Sequence, residues 1–421
     1  MENKLNMGNK LNTAKKLNIA ADNHIWGIES AFSALPGFDV DLRLLENKHI
    51  NPASLNHADI LLTRSSTSVN AALLATTPVR FAATATIGDD HYDKAWLDAH
   101  GIGWANAAGS STGSVLEYML SVLFDLHARG MIDLPQTSIG IIGVGRIGSA
   151  LATLCEKMGM TVLRNDPPRA RQEGDEGFHS LNALLAQADI LSLHTPLIHH
   201  GEDDSTVHLL AQSQMDVFQG KGIINAARGS CLDNAALCNW LDEGAGQDGR
   251  DARFAVLDCW ENEPTPLNSL LKHSGIAIAT PHIAGHSVEG KAANTQYIYN
   301  ALCRFLNIQA TWNMADHLPE LPAPVSLSIE APVQTSSQKT DIWQTLHAAS
   351  KLLYPIHNDD KAMRSWADLS KSELAKSFTG YRRNYPARRA WHHAAIQLND
   401  ADADRLQQTL QMAQAIGLKI V

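Results

Sequence analysis

Cysteine is scarce in this 421-residue chain. Cys155, Cys231, Cys238, Cys259 and Cys303 fall without metal-ligand or disulfide-framework spacing. That scatter excludes a disulfide scaffold, gives no reason to expect a metal, and suits a reducing cytoplasm. Long apolar runs are missing too: nothing approaches the roughly 20 consecutive apolar residues that a membrane helix needs. Basic residues are outnumbered, Lys and Arg summing to 34 against 44 for Asp and Glu, a net charge of -10. Such a balance excludes a nucleic-acid partner, because phosphate backbones select basic surfaces. It does not exclude an anionic substrate, since a small site can be locally positive inside an acidic protein. The opening stretch MENKLNMGNKLNTA repeats Lys-Leu-Asn and has no apolar segment suited to a secretory signal. Residues 1–15 are expected as a disordered leader, with Met7 as another possible start.

What is present is globular: 44% hydrophobic and 19% charged residues, in a chain too long for one ordinary core. From Lys16 short apolar runs alternate with amphipathic stretches, the pattern of βα units on a parallel sheet. LNIAAD, ADILLTR and RFAATAT read as strands, and a helix is expected from Ile28 to Leu35. Ser65, Thr84 and Thr86 lie at strand ends, where doubly wound folds bind ligands, although turn chemistry also accounts for hydroxyls there. A long helix is expected from Gly113 to His127, with Ser114 and Glu117 at capping-box spacing. Six further strands are expected at Ile139–Val144, Thr161–Asn165, Ile190–His194, Gly222–Asn225, Phe254–Leu257 and Ile276–Ala279. After a helix from Val288 to Leu306, the prolines at 319, 322 and 324 suit a connector to a small α+β module.

Gly143, Gly145 and Gly148 form G-x-G-x-x-G directly after a strand and at the start of a helix. In that context the first glycine allows the tight turn, the second lets backbone approach a pyrophosphate, and the third lets helix pack on strand. Asp166 follows the next strand, where a carboxylate would accept hydrogen bonds from ribose hydroxyls and repel a 2′-phosphate. NAD is therefore expected over NADP, even with Arg164 and Arg169 nearby. Three further residues bear chemistry. His282, in TPHIAGHS, can accept and return an alcohol proton near neutral pH. Glu263, in DCWENEP, would orient that imidazole. Arg228, in INAARGS, would hold a substrate carboxylate bidentately. Taken alone, each fits an ordinary surface role; near the strand ends of one sheet, they fit a hydride-transfer site.

Over about Lys16 to Leu318 the chain resembles the D-isomer-specific 2-hydroxyacid dehydrogenases, which carry Arg, Glu and His in this order behind a Rossmann fingerprint. NDPPRARQEGDEGFHSL (165–181), TATIGDDH (84–91), HIAGHSVEGKA (282–292) and FTGYRRNYPARRAW (378–391) are similar to members acting on a phosphorylated four-carbon acid. The resemblance implies an α/β chain with two doubly wound parallel-sheet domains, a Rossmann NAD-binding one and a flavodoxin-like substrate one. A small C-terminal α+β dimerisation domain would follow. The implied boundaries are 16–113 with 284–318 for substrate, 114–283 for NAD and 319–421 for a homodimer contact. The activity implied is NAD-dependent oxidation of 4-phospho-D-erythronate to (R)-3-hydroxy-2-oxo-4-phosphobutanoate, on a route to pyridoxal phosphate. Arg228 would grip the substrate and Glu263 would support His282 as proton donor or acceptor. Arg146, Ile147, Asp166, Thr195, Ala226, Ala227, Asp258 and Gly285 would join the glycines around NAD, with Ser65 and Thr86 on the substrate.

Two positions depart from the resemblance. His286 stands where relatives usually have a substrate-touching tyrosine, and Ala107–Thr112 replaces a Pro-Gly-x-Asn-Ala loop. The substrate phosphate needs a cation: Arg64 is the first candidate, and Arg382, Arg383, Arg388 and Arg389 the second. That second group fits a solvated or dimer-stabilising face equally. Two other readings stay open, oxidation of a different phosphorylated acid such as 3-phosphoglycerate, and an NAD-sensing scaffold on the same fold.

Overall fold

A computed structural model describes residues 14–199, 201, 203–244, 252–321, 323–329, 342–400 and 403–420. Most of the expected leader lies outside the described residues, and Lys15 already opens the first strand. The chain forms two compact units. One takes the described residues up to Ser110 together with Lys291–Leu318; the other takes Ser111–Gly290 and the residues from Pro319 on.

In the first unit, five parallel strands are ordered β2-β1-β3-β4-β5: β1 Lys15–Asp22, β2 Phe38–Leu45, β3 Ile60–Thr63, β4 Phe81–Thr84 and β5 Gly103–Ala105. β3 (ILLT) and β4 (FAAT) are buried throughout, as parallel strands covered on both faces must be. β2 (FDVDLRLL) alternates half-buried and exposed residues, as an edge strand does, and Lys15–Asp22 pairs with it in register along its length. The expected helix from Ile28 stops earlier, at Phe32. The part of the helix Val288–Leu306 in this unit buries Ile298, Tyr299 and Leu302 with Phe32, its Tyr299 ring 5.6 Å edge-on to Phe32.

The second unit has six parallel strands: β6 Ser138–Ile142, β7 Thr161–Asn165, β8 Ile190–Leu193, β9 Gly222–Asn225, β10 Phe254–Leu257 and β11 Ile276–Ala279, ordered β11-β10-β9-β8-β6-β7. β6 lies between β7 and β8, so the winding direction reverses there and a crevice opens at its carboxyl end. The helix Thr112–Ala128 is buried along most of its length because the C-terminal residues cover it. Trp343, Leu346, Trp391 and Ile396 join its core, while Leu374 and Phe378 join the core on the other side of the sheet. A two-stranded parallel sheet, β12 Val325–Ile329 with β13 Ile396–Asp400, completes the C-terminal part.

One local expectation fails. Ser114 and Glu117 make no capping box: the helix is entered from Ser111 without a side-chain cap. The Ser114 hydroxyl bonds Ser287 at 2.6 Å, and Glu117 accepts the Trp391 amide at 2.8 Å. Partners distant in sequence outcompete the local pairing, and burial pushes the Glu117 carboxyl up to about 7 against the pull of Arg388. No described helix is long and apolar enough to cross a membrane.

Candidate active site

The glycine fingerprint sits at the winding reversal. Gly143 adopts φ 86°, and a Cβ on Gly148 would lie 2.0 Å from the Gly143 carbonyl oxygen, so both positions demand glycine. A Cβ on Gly145 would meet nothing within 4 Å. That open space lies at the N-cap of the helix Arg146–Lys157, where unpaired amides and the helix dipole favour an anion. Arg146 and Ile147 form its first turn.

A cavity of about 970 Å³ adjoins the loop, lined by Gly143, Asp166, Pro167, Phe178, Thr195 and Ile198 among others. Asp166 follows β7, and both of its oxygens bond locally. One accepts the Val144 amide at 2.8 Å and the other caps the helix Pro167–Glu173 through the Arg169 amide at 3.1 Å. Each oxygen keeps a lone pair for a hydroxyl. The neighbouring arginines are already paired: Arg169 makes two 2.7 Å bonds to Glu173, and Arg164 pairs with Glu156. The glycine loop, the carboxylate and the adjoining cavity therefore suit a dinucleotide without a 2′-phosphate. Thr195 follows β8, its amide 2.7 Å from where a Gly143 Cβ would stand.

Arg228, Glu263 and His282 converge at the carboxyl ends of β9, β10 and β11. The Arg228 turn lies directly on the turn carrying Glu263: a Cβ on Gly229 would stand 1.9 Å from the Trp260 carbonyl oxygen. Arg228 Nη1 donates to the Ala227 carbonyl at 2.8 Å, and Cys259 Sγ donates to the same oxygen at 3.3 Å. Cys259, Glu263 and His282 bring their polar atoms within 4.8 Å of one another. Burial, reinforced by Asp258 and Glu263, pushes the Cys259 thiol well up, so it keeps its proton. The closest polar contact among these three side chains is the one between His282 and Glu263.

His282 Nδ1 stands 2.8 Å from Glu263 Oε2, while Glu263 Oε1 accepts the Trp260 amide at 2.9 Å. Burial raises the Glu263 carboxyl, but the facing His282, Arg382 and the Trp260 amide outweigh that and hold it below its ordinary value. An ionised carboxylate only accepts, so Nδ1 carries a proton and Nε2 is left to exchange one. The His282 turn is held by Asp258. Its carbonyl accepts the His282 amide at 2.7 Å, and its carboxylate accepts Thr280 Oγ1 and the Ile283 amide at 2.7 Å and the Ala284 amide at 3.0 Å. Gly285 and His286 continue this turn, and the His286 ring meets Tyr385 edge-on at 5.7 Å. Ala226 and Ala227 lie in the loop after β9.

The remaining sequence candidates belong to the first unit. Arg64 and an exposed Ser65 follow β3. Thr86 bonds Thr84 at 2.7 Å and donates to the Gly88 carbonyl at 2.9 Å, and His91 reaches Thr84 at 3.0 Å. His91 was not singled out in the sequence, although it lies within TATIGDDH. In the loop Ala107–Thr112, Ser110 bonds Asn294.

The C-terminal arginines correct the sequence reading: three of the four are internal ties, Arg382 through its Nε to the His282 carbonyl at 3.2 Å and Arg388 and Arg389 more extensively. Arg388 is buried, donates to the Ala284 and Ser114 carbonyls at 2.9 and 3.3 Å, and lies 4.1 Å over the Tyr354 ring. Arg389 bonds Glu289 and the Pro319 and Glu320 carbonyls. Neither is available to a substrate phosphate.

Residues 124–284 match the family model of the D-isomer specific 2-hydroxyacid dehydrogenase NAD binding domain, and 329–412 match a domain of unknown function, DUF3410. An erythronate-4-phosphate dehydrogenase of Proteus mirabilis is 40% identical over 338 residues, 80% of this chain and 84% of that one. One from Marinobacter nauticus is 38% identical over 407 residues, 96% of this chain and 99% of its own. The chain belongs to the erythronate-4-phosphate dehydrogenase family. It is an NAD-dependent oxidoreductase of the 2-hydroxyacid dehydrogenase type. Among solved structures, a D-lactate dehydrogenase from Aquifex aeolicus in complex with NAD and lactic acid aligns with TM-score 0.56 and 19% identity. It covers 69% of this chain and 95% of that one. An NAD-dependent formate dehydrogenase from Staphylococcus aureus aligns with TM-score 0.55 and 22% identity, over 69% and 96%. Both share the fold of this chain.

Proposed function

We propose that this protein oxidises 4-phospho-D-erythronate to (R)-3-hydroxy-2-oxo-4-phosphobutanoate in the biosynthesis of pyridoxine. The observation that carries the reading is the 2.8 Å contact between His282 Nδ1 and Glu263 at the strand ends, in a chain whose relatives bear that substrate's name. Nε2 of His282 takes the C2 hydroxyl proton, and Glu263 stabilises the imidazolium that forms. The Arg228 guanidinium holds the carboxylate and offsets charge at the reacting carbon. NAD, when bound, supplies the acceptor for the hydride leaving C2. The residues assigned to it are Gly143, Gly145, Arg146, Ile147, Gly148, Asp166, Thr195, Ala226, Ala227, Asp258 and Gly285. Ser65, Thr86 and His286 are assigned to the substrate, and Arg64 to its phosphate.

NADH formation from 4-phospho-D-erythronate, 3-phosphoglycerate and unphosphorylated erythronate, measured side by side, tests this assignment. The highest kcat/KM should belong to the first. A preference for 3-phosphoglycerate would reassign the substrate, and NAD binding without turnover of any 2-hydroxy acid would favour a sensing role.

Residues 319–421 are proposed as the dimerisation element. Exposed Leu321, Val325, Leu352 and Leu410 supply apolar surface there. Sedimentation at twice the 45.7 kDa chain mass would support the dimer, and a monomer at micromolar concentration would refute it. A cytoplasmic location is proposed from the five free cysteines.

A further inference from the structure

We infer that Arg382, on a helix of the C-terminal part, is a positioning residue for the acid–base pair: it fastens the His282 turn from the side opposite Asp258 and keeps a cation beside Glu263. The inference rests on the reading of His282 and Glu263 as the reacting pair. It gives the C-terminal part a share in the chemistry different from the phosphate contact that its arginines suggested.

The helix Lys371–Arg383 starts at a full capping box, Ser370 with Glu373. It buries Leu374 and Phe378 against the sheet carrying the site. Arg382 is the next residue of that stripe, one turn beyond Phe378, because side chains four apart share a helix face. The helix end is anchored where Asp359 accepts the Tyr381 hydroxyl at 2.6 Å and the Tyr385 hydroxyl at 2.7 Å. Arg382 is thus delivered to one place, and there its Nε donates to the His282 carbonyl at 3.2 Å.

That carbonyl belongs to a residue with φ 54°. A side chain with a Cβ stays in the left-handed region only where its surroundings fix it. Asp258 takes the amides of His282, Ile283 and Ala284, so it grips the turn by its donors. Arg382 grips it by the acceptor. Rotation of the His282 peptide would break both holds, and with them the aim of the ring at Glu263.

The second part of the role is electrostatic. Arg382 acts on the Glu263 carboxylate and on Cys259, and a nearby cation favours an ionised carboxylate. Asp258 and Arg228 also act on this corner. Asp258 and Cys259 are buried, and Arg228 and Arg382 both bring positive charge to Cys259.

Arg382→Ala, Arg382→Lys and Arg382→Gln in the full chain separate the two parts. Arg382→Ala should lose on the order of 10-fold to 100-fold in kcat, the cost of a misaimed reacting group, with NAD affinity retained. Its acidic limb of kcat/KM against pH should move to higher pH, because losing the cation lets the Glu263 carboxyl take up its proton at higher pH. Arg382→Lys should restore the limb more than kcat, and Arg382→Gln should restore kcat more than the limb. Diethyl pyrocarbonate labelling of His282 against pH, read by peptide mass spectrometry, reports on the His282–Glu263 pair without turnover. Should no variant, wild type included, oxidise a 2-hydroxy acid, the activity assignment fails while the labelling still judges Arg382. An Arg382→Ala protein with wild-type kcat and an unmoved labelling midpoint overturns the inference. If that protein does not fold by circular dichroism, the Lys and Gln variants decide by the same two readouts.

Discussion

Glu263 faces two donors at once, the ring Nδ1 of His282 at 2.8 Å and the backbone amide of Trp260 at 2.9 Å. A carboxylate can serve both, whereas an amide of the same shape has a single oxygen. Glu263→Gln should therefore either misaim the imidazole or leave the Trp260 amide unpaired. We predict a loss in kcat of up to about 10²-fold, within the range of general acid–base catalysis. Initial rates of NADH formation measure it, and a wild-type kcat would show that the pair does not act in the reaction.

Two glycines of one fingerprint should fail in different ways. A Cβ on Gly148 meets backbone at 2.0 Å, so Gly148→Ala should lower stability by about 1–3 kcal/mol, the usual cost of overpacking. A Cβ on Gly145 meets open space, so Gly145→Ala should fold normally and lose NAD affinity. Urea unfolding and NAD titration of the two proteins give both numbers.

Cofactor choice should follow the paired charges around β7. Asp166 would repel a 2′-phosphate, and Glu173 occupies the Arg169 guanidinium through two 2.7 Å bonds. Removing both carboxylates, as Asp166→Ala with Glu173→Ala, should free a cation and raise NADP affinity relative to NAD. Asp166→Ala alone should also loosen the glycine loop, since it deletes the acceptor of the Val144 amide. Dissociation constants for the two cofactors settle the point; an unchanged ratio in the double variant would contradict it.

The contact of the C-terminal part with the helix Thr112–Ala128 should depend on pH. Asp125 accepts His357 Nε2 at 2.6 Å, and His347 and Arg129 also face it, at 3.4 and 3.2 Å. The hydrogen bond to Asp125 raises His357 above its ordinary value. Its contribution is therefore complete below the unfolded histidine value of about 6.5 and is lost as pH rises through the higher folded value. Burial works to raise Asp125, but His347 and His357 outweigh it and leave the carboxyl depressed, so its share is lost only as pH falls through that low value. His357→Gln should narrow the difference in urea midpoint between about pH 6 and about pH 9. An unchanged difference would remove His357 as its source.

Much of the site was legible because its chemistry is local in sequence. G-x-G-x-x-G after a strand, Asp166 after the next, and Arg228, Glu263 and His282 after three later strands each follow from βα alternation. The edge strand Phe38–Leu45 was missed because its half-exposed residues carry no continuous apolar run. Contacts between distant segments were not legible at all. Ser114 and Glu117 fit a local cap, yet Ser287 and Trp391 claim them. Clustered arginines suggest an anion site or a solvated face, yet Arg388 and Arg389 tie the C-terminal residues to backbone and to Glu289. Spacing along the chain could not reveal that Arg382 ends on the carbonyl of His282.

The most direct test compares wild type and His282→Ala at saturating NAD and 4-phospho-D-erythronate, following NADH formation after NAD affinity has been matched. The expected outcome is intact cofactor binding with turnover reduced by about 10²-fold to 10⁴-fold. NADH formation at the wild-type rate by the His282→Ala protein would contradict the account.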